Sequence, residues 1–273
     1  MRVWVLGSGS AGNAVLVESA GTRIIIDAGF PVRELAKRLA AIGVSGDSIE
    51  SAIVTHEHTD HVRGVCAAAK RWKWEVHAST GTIASHPLLK EICAHPFAAG
   101  ATLELGDLSV HTVRTPHDGT EPVAVLATAR SSGARAGIVY DLGHVPPSYL
   151  TTFERLDILV LESNHDEGML RAGPYPPTVQ SRIAGAYGHL SNRRAGMFAR
   201  DCTHAGLAQL VLAHLSERCN DPAIALSSMR AALVRARFRG ALSAASQGAT
   251  CGPFTAGRGS HGVQGASQLS FEL

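Results

Sequence analysis

The stretch T-H-E-H-T-D-H, Thr55 to His61, decides how this chain is read. Three histidines and one aspartate fall within six residues, His56 to His61. The apolar run Ala52–Thr55 before them reads as a short buried strand. The segment after them, His61–Lys70, reads as the start of a helix. Imidazole and carboxylate groups are ligands for Zn²⁺, Mn²⁺ or Fe²⁺. In a non-helical loop, His56 and His58 stand two residues apart and converge on one ion. Asp60 and His61 sit where the helix begins and are offset towards a second. One ion has no use for so many ligands so close together, so the spacing predicts two.

Outward from this loop the chain alternates strands and helices. Val3–Leu6, Ala14–Glu18 and Arg23–Asp27 read as strands, divided by G-S-G-S-A-G-N (Gly7–Asn13) and a turn at Gly21. Pro31–Ile42 has helical periodicity, with Leu35, Leu39 and Ile42 on one face. Leu103–Leu105 with Ser109–Val113, and Pro122–Ala129 with Ala136–Tyr140, read as hairpins. Ile158–Leu161 and Gln209–Ala213 read as strands. Ser191 or Asn192 caps a helix through Thr203, and Asp221-Pro222 opens one that reaches Arg235. Ser246–Ser267 is rich in Gly, Ser and Ala and reads as a flexible loop before a last strand at Gln268–Phe271.

Composition sets the outer bounds. With 273 residues, 45% of them hydrophobic and 18% charged, the chain is globular and not disordered. Aromatic residues are only 5%, so the core is built mainly from Val, Leu, Ile and Ala. Five cysteines, an odd number with no C-x-x-C pair, argue against a disulfide framework. Met1–Gly7 reads as a strand and turn, not a signal peptide, and the expected compartment is a reducing cytoplasm. No apolar run approaches the ~20 residues needed to span a bilayer. Net charge is only +2, but it is unevenly spread. Residues 1–170 carry 14 basic against 19 acidic groups; residues 171–240 carry 10 arginines, no lysine and 3 acidic groups. A basic segment of that kind suits a polyanionic substrate.

Five motifs, each just after an apolar strand, resemble in order those of the metallo-β-lactamase superfamily. They are I-I-D-A-G (Ile25–Gly29), the H-x-H-x-D-H loop, T-P-H-D (Thr115–Asp118), V-Y-D-L-G (Val139–Gly143) and L-A-H-L-S (Leu212–Ser216). The resemblance covers most of the chain. It implies an α/β fold, a four-layer αββα sandwich in one domain over residues 1–273, with a dinuclear centre at one edge of the sheets. It implies His56, His58 and His117 as the first site, Asp60, His61 and His214 as the second, Asp141 as the bridge, and Asp27 as support for the motif loop. Zn²⁺ is the expected ion, with Mn²⁺ and Fe²⁺ also fitting. Two ions ~3.5–4 Å apart clamp both oxygens of a displacement.

An aspartate at the bridging position, in place of cysteine, sets the chain apart from the zinc β-lactamases themselves. L-G-S-G-S-A-G-N (Leu6–Asn13), L-E-S-N-H-D (Leu161–Asp166), G-P-Y-P (Gly173–Pro176) and G-H-L-S-N (Gly188–Asn192) are similar to the YycJ/WalJ group of metal-dependent exonucleases. That resemblance implies hydrolysis of a phosphodiester, exonucleolytic and on single-stranded DNA. Asp60, His189 and Glu162 are then the catalytic set, with His189 protonating the leaving oxygen and Glu162 orienting its ring. A positioned acid of this kind is worth ~10²–10⁴-fold. Ser8, Ser10, Asn13, Asn164, His165, Arg171, Arg193 and Arg218 are candidate substrate contacts, and Arg182 and Arg194 are further phosphate candidates. Two competing readings keep the metals: a glyoxalase II-like thioester or lactone hydrolase, and a tRNA 3′-processing-like ribonuclease. Against the second, no segment resembles the tRNA-binding arm. A non-catalytic scaffold fits poorly with a complete ligand set. His77, His86, His95, His111, His144, His204 and His261 have no partner pattern and read as structural or surface residues.

Overall fold

Residues 1–256 are described by a computed structural model. Alternating apolar residues build the first sheet. Its strands are β1 (Arg2–Gly7), β2 (Ala14–Ser19), β3 (Thr22–Ile26), β4 (Ser51–Val54), β5 (Glu75–Ser79), β6 (His95–Phe97) and β14 (Cys251–Thr255), in the order β14-β1-β2-β3-β4-β5-β6. The second sheet holds β7 (Thr102–Leu105), β8 (Leu108–Arg114), β9 (Val123–Ala129), β10 (Arg135–Val139), β11 (Ile158–Glu162), β12 (Gln209–Ala213) and β13 (Ala241–Ala244), in the order β13-β12-β11-β10-β9-β8-β7. Each sheet has antiparallel pairs on one side and parallel pairs on the other, the change falling at β3–β4 and at β10–β11.

Period-two alternation assigns the faces. Val3, Val5, Val15, Val17, Ile24 and Ile26 turn inward and meet Val110, Val125, Ile138 and Val160 of the second sheet. Between them, Trp4, Leu6, Leu16 and Ile25 turn outward onto α1 (Val32–Ala41) and α3 (Val65–Trp72), where Leu35 and Leu39 fill the same layer. Leu159, Leu161, Leu210 and Leu212 do likewise beneath α6 (Ser148–Thr152), α9 (Asn192–Cys202) and α10 (Pro222–Leu233). The central strands are therefore buried on both faces, which is why they are apolar throughout and not alternately polar. The result is four layers, the αββα architecture of the metallo-β-lactamase fold. The shorter helices are α2 (Thr59–Val62), α4 (Thr80–Ser85), α5 (Pro87–Glu91), α7 (Glu167–Ala172) and α8 (Pro177–Ile183). Among the described residues, no helix is long and apolar enough to cross a membrane.

Two local expectations need correction. The helix expected over His61–Lys70 is two helices, α2 and α3, broken at Gly64. The Gly64 amide donates to the Ala28 carbonyl at 2.7 Å, and a Cβ there would lie 2.0 Å from the Phe30 carbonyl oxygen. Only glycine allows that close crossing, so the motif loop is pinned to the backbone after β3. The stretch 246–267 is not loop throughout: Cys251–Thr255 is an edge strand paired with β1. Pro253 masks it in the sequence, because proline is tolerated only at an edge. Residues 257–267, His261 and the strand expected at Gln268–Phe271 lie outside the described residues. Strand β13, whose Ala-rich sequence carries little strand signal, was not anticipated; it adds to the second sheet parallel to β12.

Candidate metal centre

The histidines and carboxylates gather where strands end. Asp27 follows β3, Thr55 and the motif loop follow β4, His117 follows β8, Asp141 follows β10, Glu162 closes β11 and His214 follows β12. Four groups of ligand atoms form there, each with all atoms within 4.8 Å of one another. His56, His58 and His117 make one; Asp60, His61 and His214 make another. Asp141 joins His56 and His61 in a third, one residue from each of the first two. The fourth, Asp141, Glu162, His189 and His214, lies on the other flank of Asp141.

Hydrogen bonds at the far side of each ring fix which nitrogen is offered. His61 Nδ1 lies 2.7 Å from Asp27 Oδ2, so it donates there and Nε2 is turned to Asp141 Oδ2, 2.9 Å away. Two electron-rich atoms that close require a cation between them, either a proton or a metal ion. Thr55 Oγ1 donates to Asp27 at 2.8 Å and, with its own proton so spent, accepts a hydrogen bond from His56 Nδ1 at 3.0 Å. His56 Nε2 is then left as a lone pair, buried and without a hydrogen-bond partner, and Asp141 Oδ2, though 2.9 Å from His61 Nε2, makes no well-aligned hydrogen bond. His117 Nδ1 donates to the Gly188 carbonyl at 3.1 Å, which frees Nε2 towards His58 Nδ1 at 3.3 Å. Buried polar atoms without partners are costly, and here they converge. The donor set, all N and O, fits divalent ions, and outer hydrogen bonds of this kind orient metal-binding imidazoles.

The electrostatics follow from that crowding. Burial disfavours the charged form of every ring, and with His61 beside it holds His56 well below the usual histidine range. The same burial acts on His61, but Asp27, Asp141 and Asp60 outweigh it and hold His61 well above that range. His214 is also desolvated, yet Asp141, Asp60 and Glu162 raise it to about 9. Asp141 is pushed up by burial and pulled further down by His214 and His61, ending well below the carboxylate range.

His189 stands at the same cleft and is tied differently. Its Nδ1 lies 2.7 Å from Glu162 Oε1 and 3.3 Å from Asp141 Oδ1. Glu162 cannot swing away, because its Oε2 accepts the backbone amides of Leu142 at 3.0 Å and Leu190 at 3.1 Å. Burial opposes charge on His189, but the two carboxylates raise it to about 10. The ring is thus anchored through Nδ1 to the two carboxylates.

The remaining expected residues divide by depth. Ser8, Asn13 and Asn164 lie beneath the cleft and spend their groups on the ligand loops. Ser8 Oγ accepts the His214 amide at 2.8 Å, Asn13 Nδ2 donates to Asp60 Oδ2 at 3.2 Å, and Asn164 Nδ2 donates to the His214 carbonyl at 3.0 Å. All three are buried. Ser10 is exposed and lines the cleft. His165 and Arg171 line a neighbouring cavity. Arg193 is exposed and pairs with Glu167 at 3.0 Å, and the Arg218 guanidinium lies 6.0 Å from the centre of the Tyr175 ring. Arg194 donates to the Gly143 carbonyl, and Arg182 pairs with Asp118 at the cleft.

Two functional positions were not singled out from sequence. Asp118 Oδ1 stands 3.3 Å from His117 Nε2 and 3.5 Å from His58 Nε2. Its signal was the last letter of T-P-H-D. The Tyr140 hydroxyl donates to Asp27 Oδ2 at 2.7 Å, and its signal was the aromatic just before Asp141. Backbone strain marks the same places. Asp27, Asp141 and His214 have φ of 59°, 55° and 52°, a region that non-glycine residues rarely occupy and that recurs at functional sites.

Residues 7–129 match the family model described as the metallo-beta-lactamase superfamily. The chain is 29% identical over 216 residues to exodeoxyribonuclease YycJ of Bacillus anthracis, covering 78% of this chain and 81% of that protein. It is 26% identical over 231 residues to exodeoxyribonuclease WalJ of Streptococcus pneumoniae, covering 82% and 85%. The crystal structure of the metallo-β-lactamase fold protein YhfI from Bacillus subtilis superposes with a TM-score of 0.69 over 92% of this chain and 99% of that one, at 18% identity. Ligand order, sheet order and these matches agree: the chain carries a metallo-β-lactamase domain and has the metallo-β-lactamase fold.

Proposed function

We propose that this protein is a dinuclear metal-dependent phosphodiesterase, an exonuclease acting on single-stranded DNA. The observation that carries the reading is the half-buried His189, hydrogen-bonded to the buried Glu162 beside the His/Asp clusters. A thioester or lactone leaves readily and has little need of a strong acid. An alkoxide leaving from phosphorus needs a proton, and a positioned imidazolium is worth ~10²–10⁴-fold. The names of the YycJ and WalJ relatives support DNA as the polymer.

His56, His58 and His117 would hold one ion and Asp60, His61 and His214 the other, with Asp141 between them. Zn²⁺ suits this donor set best, and Mn²⁺ and Fe²⁺ also suit it. Bound there, divalent ions supply a nucleophile at neutral pH and charge neutralisation at phosphorus. The chain's own work is complementary. Asp27, through His61 and Thr55, holds the rings facing inward. Ser10 and Arg182 line the cleft where a phosphodiester is received. His189 delivers the proton from Nε2 to the departing oxygen, and Glu162 keeps the ring aimed and charged.

The test uses metal-stripped protein with Zn²⁺, Mn²⁺ or Fe²⁺ restored singly. Substrates are single-stranded DNA and RNA blocked at either end, plus a glutathione thioester. Stepwise shortening of unblocked DNA is the expected result. Turnover of the thioester alone would overturn the reading, and cleavage of RNA in preference to DNA would replace the polymer.

A further inference from the structure

A second cavity, about 390 Å³, lies against the metal cleft and shares His189 with it. Helix α8 forms the partition. Gln180, Ser181 and Ala184 line the cavity, whereas Val179, Arg182 and Ile183 line the metal cleft. Leu170, Pro177 and Ala184 give the cavity apolar walls, and Arg171 and Arg194 give it two cations. Its one lining carboxylate, Glu167, is already engaged by Ser191 and Arg193. His165 lines the same space, is 98% buried, and has its Nδ1 without a partner. Small-molecule sites are commonly concave, mostly apolar and of this size, with a few convergent polar groups.

We infer that this cavity receives the terminal nucleotide of the strand, the one released at each cleavage, and grips its phosphate. The inference rests on the phosphodiesterase reading and deepens it. His189 gives its Nδ1 to Glu162, so the oxygen it protonates leaves at Nε2. The nucleoside attached to that oxygen then lies on the His189 side of the cleft, and His189 is the residue that also lines the cavity. Arg171 and Arg194 can form charge-assisted hydrogen bonds to a phosphate carried by that nucleotide, and the apolar walls accept its base. Guanidinium groups suit this role because their planar fork matches phosphate oxygens.

The probe is deoxyadenosine monophosphate titrated calorimetrically into metal-loaded protein, with deoxyadenosine and inorganic phosphate as separate arms. Binding of the nucleotide should exceed either fragment by about tenfold or more, since each fragment lacks half of the contacts. Arg171→Ala and Ser181→Trp, one removing a cation and one filling the space, should each weaken it by about tenfold. Both residues are exposed, so neither variant threatens the fold. To separate a strand end from a free nucleotide, oligonucleotides with and without a terminal phosphate are compared. The phosphorylated strand should show the higher kcat/KM, and Arg171→Ala should erase the difference. Unchanged nucleotide binding in both variants, or equal kcat/KM for the two strands, overturns the inference. Hydrolysis of bis(p-nitrophenyl) phosphate is followed in parallel. If that diester is cleaved and the nucleotide does not bind, the cavity assignment falls alone. If the nucleotide binds as expected and the diester resists, the phosphodiesterase reading falls and the cavity keeps its ligand.

Discussion

The two sheets build their halves of the centre in different ways. The first sheet supplies His56, His58, Asp60 and His61 from one loop after β4. The second supplies His117, Asp141, Glu162 and His214 one at a time, from the ends of four strands far apart in sequence. Strand order and the change from antiparallel to parallel are the same in both sheets, so topology does not cause the difference. The loop after β4 works as a unit because Gly64 and Asn13 lock it to neighbouring backbone, so its ligands share one anchor. The scattered ligands are each placed by their own strand, and they come together because β10, β11 and β12 are neighbours in the sheet and β8 lies just beyond β9. A contiguous loop can therefore be damaged as a whole, whereas the scattered side is tuned residue by residue.

Asp141 is where the two halves meet, so its loss tests the comparison most severely. Asp141→Asn should lower hydrolysis by about a thousandfold or more and reduce bound metal, because several kcal/mol of charge stabilisation depend on both ions. His58→Ala, on the first-sheet side, should match it in direction. Metal content by atomic emission and initial rates check both variants. Full metal content with full activity in Asp141→Asn would mean that the sheets do not share a centre.

The next effect concerns only the second sheet. His189→Ala should lower kcat by ~10²–10⁴-fold with metal content intact. Glu162→Gln removes one of the two anions that raise His189 to about 10. The ring then loses its proton at lower pH, so the alkaline limb of the pH–rate profile should move down. An unmoved limb would deny Glu162 its positioning role.

The smallest of the three concerns the first sheet. Asp27→Asn weakens the support of His61 and Thr55 and should cost about 10–100-fold in metal affinity, the usual effect of losing a ligand's outer hydrogen bond. Uptake also depends on pH. His214, raised to about 9, and His61, raised above its usual range, bind metal only after giving up their protons. Affinity should therefore fall as pH is lowered, with proton release visible as a buffer-dependent heat of binding. Asp27→Asn removes one anion that raises His61, so this pH dependence should flatten. Identical titrations for both proteins would show that Asp27 does not govern the loop.

The same contrast explains what could be read from the sequence. The H-x-H-x-D-H loop was legible because four ligands crowd six positions. Asp141 and His214 became legible only as members of an ordered set, each after an apolar strand. Ser8, Asn13 and Asn164 were picked out as donors from their polar, glycine-rich neighbours, and the bonds they make to the ligand loops could not be read from sequence. No periodicity reports which way a loop side chain faces. Tyr140 was hidden because its role lies in a contact 113 positions away in the chain, with Asp27. Strand β14 was hidden because a Gly-Pro edge strand looks locally like a turn.

The left-handed backbone at Asp27, Asp141 and His214 bears on how this protein tolerates change. Such conformations cost of order 1–3 kcal/mol each and persist only where the surroundings impose them. A search for heat-resistant variants would find relief at these three positions, with glycine or asparagine as the natural replacements. Any such gain in melting temperature would remove a ligand or its support. Durability and turnover therefore oppose each other at the same three residues, and screens on the two properties would select different sequences there.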